Sequence, residues 1–219
     1  MRLRVAGGTI VGPEGRVEAD VLCEDGAIAA ILAPGEAADA DEQVDARGLL
    51  VFPGFIDPHV HGRDPGITDK EDFSGATAGA LAGGLTTIFD MPNAAPPVTD
   101  AAVFADRAAH HEAVAHVDFG LWGQALGREN LADLAGMVEA GAVGIKLFWG
   151  YALDRASGRL LYTAADAVAD ADIVQPPDVG GVFEIIEAVG AAGGLFSAHC
   201  EENGVVQAAT AALPNGVQD

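Results

Sequence analysis

After Pro53 the sequence changes from a series of short strand-like runs to strand and helix in strict alternation, and this alternation restricts the possible folds more than any other feature. Runs at 55–60, 85–91, 116–122, 143–149 and 195–199 have the length and apolar character of strands. Between them, helical stretches near 74–82, 99–114, 130–140 and 178–192 each begin beside a Ser, Thr, Asn or Asp that can cap a helix. Gly83 and Gly141 stand where two of them stop. Such alternation builds βαβ units and a parallel sheet. The first 53 residues read instead as a small β-sheet unit, with strands at 3–11, 17–23, 27–32 and 48–52 and Asp25-Gly26 as a hairpin turn. The expected division is therefore 1–53 and 54–219.

Five β/α units are too few to close an eight-stranded barrel, which needs about 250 residues. Two architectures fit: the first part of a TIM-like (β/α)8 barrel, with about five of eight units present, or a flavodoxin-like open sheet complete at this length. The chain ends on ALPNGVQD, a polar turn after a helical stretch at 204–213, with no closing element. The connection 150–177 is long for its kind and carries Ser157-Gly158 as a hairpin tip, which makes it either a lid over a site or a surface loop.

Half of the 219 residues are hydrophobic, enough for a sizeable core of mostly small side chains. A formal charge of −22 argues against nucleic acid or anionic membrane partners, since both need clustered Lys and Arg. Cys23 and Cys200 are far apart and in no C-x-x-C spacing, which suits a reducing compartment. The start lacks a signal-peptide core, and no run is apolar enough to span a bilayer. The expectation is a soluble cytoplasmic protein.

Chemistry concentrates in Gly54 to Gly66, GFIDPHVHGRDPG. On a strand, His59 and His61 point to one side with Val60 opposite, which is how a strand offers two nitrogen ligands to one metal ion. Arg63 continues that alternation and puts an anion-binding guanidinium beside the pair. His59, His61, Asp90, Asn93, Lys146 and His199 all fall at or just past the carboxyl ends of the expected strands, where parallel α/β folds place their functional groups.

Lys146 interrupts AVGIKLFW, a run otherwise suited to a buried strand. Desolvation lowers a lysine pKa and exposes a nucleophilic amine, able to form a Schiff base or, with carbon dioxide, a carbamate that bridges two cations. The plainer alternative is a lysine paired to a buried carboxylate. His199 can ligate a second metal while Glu201 or Glu202 fixes its orientation. His110 and His111 read as solvated helix residues, His116 as packing or surface, and Cys200 as a small buried residue. No G-x-x-x-x-G-K-[ST] loop or G-x-S-x-G elbow is present.

In order and spacing, GFIDPHVHGRDPG, KEDFSGATAGALAGGLTTIFDMPN, VGIKLFWG and AHCEEN resemble the cyclic-amide hydrolases of the amidohydrolase superfamily: dihydroorotases, allantoinases and hydantoinases. AGGTIVGPEGRVEADVLCEDGAIAAI looks like the small β-sandwich domain of that group, so residues 1–53 would be the N-terminal part of a β-sandwich. The resemblance implies a (β/α)8 barrel with a binuclear metal centre, usually zinc, at its mouth. His59 and His61 would hold the first ion and His199 the second, with N-carboxylated Lys146 bridging both; the ions would activate water and polarise the ring carbonyl. Arg63 and Asn93 match the pair that holds the substrate carboxylate in dihydroorotases, which favours a dihydroorotase-like reading, while FDMP and the segment WGY look equally like allantoinase-type members.

The resemblance further implies a small cyclic amide or ureide as substrate and a homo-oligomer at full length. Family members run about twice this length, and their pattern expects another metal-binding His and an acid/base Asp on strands beyond His199. The chain therefore reads as the N-terminal part of a longer enzyme, inactive by itself and with no catalytic acid or base identified in it. Some relatives have lost their ligands and serve as non-catalytic assembly partners; retention of His59, His61, Lys146 and His199 favours an enzyme.

Overall fold

The N-terminal strands follow from turn chemistry. In the computed structural model, which describes residues 1–161 and 172–213, β1 (Arg2–Gly12) pairs antiparallel with β2 (Gly15–Glu24), and β2 with β3 (Ala27–Leu32). Asp25 and Gly26 both take positive φ, 50° and 84°, the requirement of a two-residue hairpin turn that follows the strand twist. Two further strands, β4 (Glu42–Asp45) and β5 (Leu50–Val51), run parallel to β1. β4 was not foreseen: all four of its residues are exposed, so it carries no alternation of hydropathy. Asp20, 1% exposed, accepts from the Gly7 and Gly35 amides and pairs with Arg4, which ties the sheet to the 33–36 loop. These strands belong to the first of two compact units, Met1–Phe55 and Ile56–Asp219.

The second unit is built on five parallel strands, β6 (Phe55–Val60), β7 (Leu85–Asp90), β8 (Asp118–Gln124), β9 (Gly144–Trp149) and β13 (Phe196–Cys200). They lie in chain order, each beside the next. That order excludes the flavodoxin-like alternative, in which the sheet reverses direction around its first strand, and is the order of a barrel wall. The unit is an α/β fold with the parallel half-barrel sheet of a partial TIM barrel.

Helices α1 (Phe73–Ala82), α2 (Ala101–Glu112), α3 (Leu134–Glu139), α4 (Val179–Ala191) and α5 (Asn203–Ala211) connect or follow the strands. Asp72, Asp100 and Asp178 cap α1, α2 and α4 by accepting first-turn amides, as does Glu202 for α5. A 3-10 segment, Gly127–Asp133, takes the first part of the helix expected over 130–140.

Strand alternation divides the sheet into two faces. Leu121, Ile145 and Leu147 point outward and form the main core with Leu134 and Met137 of α3 and Ile185 and Val189 of α4. Fully burying each such side chain contributes about 1.5–3 kcal/mol. The inner face carries Trp122 and Gln124 of β8, Lys146 and Phe148 of β9, and Ser197 and His199 of β13. The register sets Gln124, Lys146 and Ser197 in one row and Phe148 beside His199 in the next. Across this face the Trp122 indole Nε1 donates to the Pro58 carbonyl at 3.0 Å.

The long connection after β9 is ordered in its described part. β10 (Ala152–Asp154), β11 (Arg159–Leu161) and β12 (Ile173–Val174) form a small antiparallel sheet with Ser157-Gly158 at the hairpin tip, as expected. Residues 162–171 of that connection, and 214–219 of the polar C-terminal turn, lie outside the described residues. No helix among the described residues is long and apolar enough to cross a membrane.

Candidate functional site

The strand β6 ends at Val60, and the following turn delivers His61 and Arg63 to the carboxyl edge of the sheet. The rings of His59 and His61 lie with centroids 5.3 Å apart. Arg63 does not continue the strand alternation. Its φ of +61° puts it in the left-handed region that non-glycine residues seldom adopt, so the guanidinium is aimed by the turn and not by a pleat. Gly62 between them is required by crowding: a Cβ there would come within 2.7 Å of the Phe73 ring.

His61, Arg63, Asn93, Phe148, Tyr151 and His199 share the wall of one open cleft of about 760 Å³. The tip of the β10–β11 hairpin forms the opposite wall through Ala156 to Leu160. Gly158 is needed at that tip, with φ +65° and the Ala94 carbonyl oxygen only 2.0 Å from where a Cβ would stand. The hairpin therefore rests on the Met91–Ala95 segment that presents Asn93, and of the two expected roles for the 150–177 connection its described part fits a cover over the site.

Asn93 is 6% exposed, and its Oδ1 accepts from His61 Nδ1 at 2.7 Å. With that proton fixed, the lone pair of His61 sits on Nε2. Burial is the main cause that lowers the His61 pKa, against the raising effect of the Asn93 bond. The His59 residue is exposed, yet the partial desolvation of its ring, and then the charge of Lys146, lower its pKa. Both rings are thus biased toward the neutral form that ligates metals.

Lys146 is 2% exposed, and its pKa is lowered chiefly by desolvation. Its Nζ lies 5.3 Å from the Phe148 ring centroid, and no carboxylate among the described residues comes within salt-bridge distance of it. The plainer alternative for this lysine, pairing with a buried acid, is therefore absent among the described residues. His199 Nε2 lies 3.1 Å from Glu201 Oε1 and 3.2 Å from the Tyr151 hydroxyl, which itself donates to the other oxygen of Glu201. The hydroxyl and His199 bonds hold the Glu201 carboxyl below its ordinary pKa. An acidic neighbour thus orients His199, and Tyr151, five residues past Lys146, completes a contact that sequence reasoning did not assign.

Two other expectations are corrected. His111 is fully buried, not solvated: it stacks on Phe73 with centroids 3.5 Å apart and donates from Nε2 to Asp90 at 2.9 Å. His110 is exposed, as expected of a solvated helix residue, and pairs with Asp64 at 3.0 Å. Cys200, the last residue of β13, is exposed, not buried.

Among the described residues, no three His, Cys, Asp or Glu side chains are gathered around one point as a ready metal site. His61 and His199 line the cleft, with the His59 ring beside His61 and, on the sheet face that carries His199, the buried Lys146 amine, which has no acidic partner among the described residues. That donor chemistry fits divalent ions, provided the amine supplies the missing carboxylate by taking up carbon dioxide.

His61, Arg63, Asn93 and His199 stand at or just past the carboxyl ends of parallel strands, where barrel folds carry their functional groups. Residues 50–219 match the family model described as amidohydrolase family, and the chain belongs to that family. It is 44% identical over 145 residues to an allantoinase of Solibacter usitatus (strain Ellin6076), covering 66% of this chain and 31% of the relative. It is 34% identical over 200 residues to an L-hydantoinase of Paenarthrobacter aurescens, covering 91% of this chain and 40% of the relative. A dihydroorotase of Methanothermobacter thermautotrophicus is 41% identical over 110 residues, 50% of this chain and 25% of that one. The solved L-hydantoinase (dihydropyrimidinase) from Arthrobacter aurescens superposes with a TM-score of 0.78 at 32% identity, covering 94% of this chain and 42% of that one. The chain thus spans between a quarter and two fifths of the length of these relatives.

Proposed function

We propose that this site serves the metal-dependent hydrolysis of a cyclic amide C–N bond, with His59, His61, Lys146 and His199 as the metal-holding set. The observation that carries the reading is Lys146: a lysine 2% exposed, on the inner face of a parallel sheet, with no described carboxylate in reach. A bare ammonium there is costly, whereas the neutral amine can attack carbon dioxide. The new N–C bond forms as one C=O π pair moves to oxygen; the amine proton leaves to solvent, and the product is a carboxylate.

Bound divalent ions, zinc by family habit, would supply a water of lowered pKa and polarise the ring carbonyl. The chain's own groups prepare for this. Asn93 holds the His61 proton on Nδ1 and so turns Nε2 toward the cleft. Arg63 offers a fork that can take a planar carboxylate bidentately, and the β10–β11 hairpin narrows access for water.

Two substrate readings have separate support. Arg63 beside Asn93 in the cleft favours an anionic ring such as dihydroorotate. The names of the relatives favour allantoin or a hydantoin.

The test is a Zn²⁺ titration of the protein and of its His59→Ala, His61→Ala, Lys146→Ala and His199→Ala variants, with ¹³CO₂ present to mark a carbamate by NMR. Tight binding lost in each variant, and a carbamate signal lost in Lys146→Ala, is the expected result; binding unchanged in all four sinks the reading. Binding of dihydroorotate, allantoin and hydantoin, with Arg63→Ala weakening only the first, separates the substrates.

A further inference from the structure

One buried cluster has no role in the ligand set. Asp90, His111 and Arg107 are 1%, 0% and 2% exposed. Asp90 Oδ1 accepts from the Gly62 amide at 2.7 Å, and Oδ2 accepts from His111 Nε2 at 2.9 Å. Arg107 Nη1 stands 3.7 Å from the same Oδ2, and its Nη2 donates to the Pro96 carbonyl at 2.7 Å. The His111 ring lies flat on Phe73, the same ring that presses on Gly62.

Gly62 is the residue between His61 and Arg63. We propose that Asp90 is a positioning residue for the site: it grips the Gly62 amide, and with it the turn that aims His61 and Arg63 into the cleft, while His111 and Arg107 of α2 fix the carboxylate from behind. This inference rests on the functional reading above, and extends it to a buried network behind the ligands.

Three observations carry it. The bond reaches the one backbone amide between the two functional side chains. The same helix fastens the turn a second time, because Asp64 Oδ1 meets His110 and its Oδ2 accepts from the Phe73 amide at 3.1 Å. A buried ionic cluster is also a poor choice for stability alone, since apolar side chains of similar volume commonly serve a core as well or better. Its location directly behind a left-handed arginine explains why the charge is there: Arg63 at φ +61° needs its neighbours held.

The experiment compares the wild-type protein with Asp90→Ala, His111→Phe and His111→Gln. Phe keeps the stack on Phe73 and removes the donor; Gln keeps a donor. Amide hydrogen exchange at residues 61–64 and Zn²⁺ affinity are read together, with exchange in α2 and β8 as the check on folding. In Asp90→Ala and His111→Phe, exchange at Gly62 should rise at least tenfold and Zn²⁺ affinity should fall at least tenfold, with α2 and β8 still protected. His111→Gln should stay within threefold of wild type.

Faster exchange at Gly62 with unchanged Zn²⁺ affinity would overturn the positioning role while leaving the functional reading intact. Unchanged exchange in both donor-removing variants would overturn it as well. A wild-type protein that binds no Zn²⁺ would remove the functional reading itself, and this inference with it, and that outcome is visible before any variant is made.

Discussion

The Nδ1 of His61 lies 2.7 Å from the Oδ1 of Asn93, and this bond across 32 residues decides which imidazole nitrogen faces the cleft. A metal-ligating histidine whose other nitrogen loses its partner typically binds 10–100-fold more weakly. Asn93→Ala should therefore lower Zn²⁺ affinity by about 10–100-fold, with secondary structure retained. An affinity equal to wild type in a direct titration would mean that the bond does not set the ligand.

Lys146 makes a pH-dependent contribution to stability that can be signed in advance. Its folded pKa is lowered below the ordinary 10.5, mainly by desolvation. Between the lowered folded pKa and the unfolded value, the unfolded chain therefore holds more protons at this position than the folded one. Folding carries a penalty below the lowered folded pKa, and the penalty is relieved as pH rises toward the unfolded value. Without metal and carbon dioxide, the wild-type protein should gain stability between neutral and alkaline pH relative to Lys146→Met. Parallel denaturation profiles for the two proteins over that range would contradict this.

Arg107 and Asp90 form an ion pair with both side chains 1% exposed. Removing one partner of such a pair strands the other charge, at a cost of about 3–5 kcal/mol. Arg107→Ala should lose about that much in urea denaturation, and it also forfeits the bond to the Pro96 carbonyl. A loss under about 1 kcal/mol, the scale of an exposed pair, would show that water reaches Asp90.

At the hairpin tip, Asp154 accepts from the Ser157 hydroxyl at 2.6 Å and from the Ala156 amide at 3.1 Å. The Ser157 bond is the leading cause that lowers the Asp154 pKa. These bonds support the tip above the unfolded carboxyl pKa, and the support is lost as pH falls through the lower folded value. Asp154→Ala should raise amide exchange in residues 155–158 at pH 7 by several-fold, without moving the global unfolding midpoint. Coupled loss of the midpoint would mean that the hairpin unfolds only with the barrel wall.

The parallel strands and their helices were legible because each carries a self-contained signal: a short apolar run, a cap, a terminal glycine. β4 was not, since its partner β1 supplies the pairing and its own four residues face water. The place of His61, Asn93 and His199 beside one cleft was legible from position, because strand ends are recoverable from the runs that precede them. His111 was misread for a definite reason. Phe104, Arg107 and His111 line one buried face of α2 at helical spacing, but hydropathy counts two of these three as solvent-seeking. Only the carboxylate of Asp90, brought from another strand, makes their burial affordable, and no local pattern announces it. Tyr151 shares this limit, since its bonds to His199 and Glu201 cross about 50 residues of chain.

The Trp122 indole bond to the Pro58 carbonyl joins two strands that are not neighbours, with β7 between them. A flat sheet would hold those backbones roughly 10 Å apart, two strand spacings. The bond is thus a chord that measures the arc of the wall, anchored one residue before His59. Of the two tryptophans, Trp149 belongs to the helix-facing core. The chain accordingly carries an internal optical gauge: with Trp149 replaced by Phe, a change in the curvature of the wall, or a shift of the histidine strand, would register in the emission of the remaining indole without any label being attached.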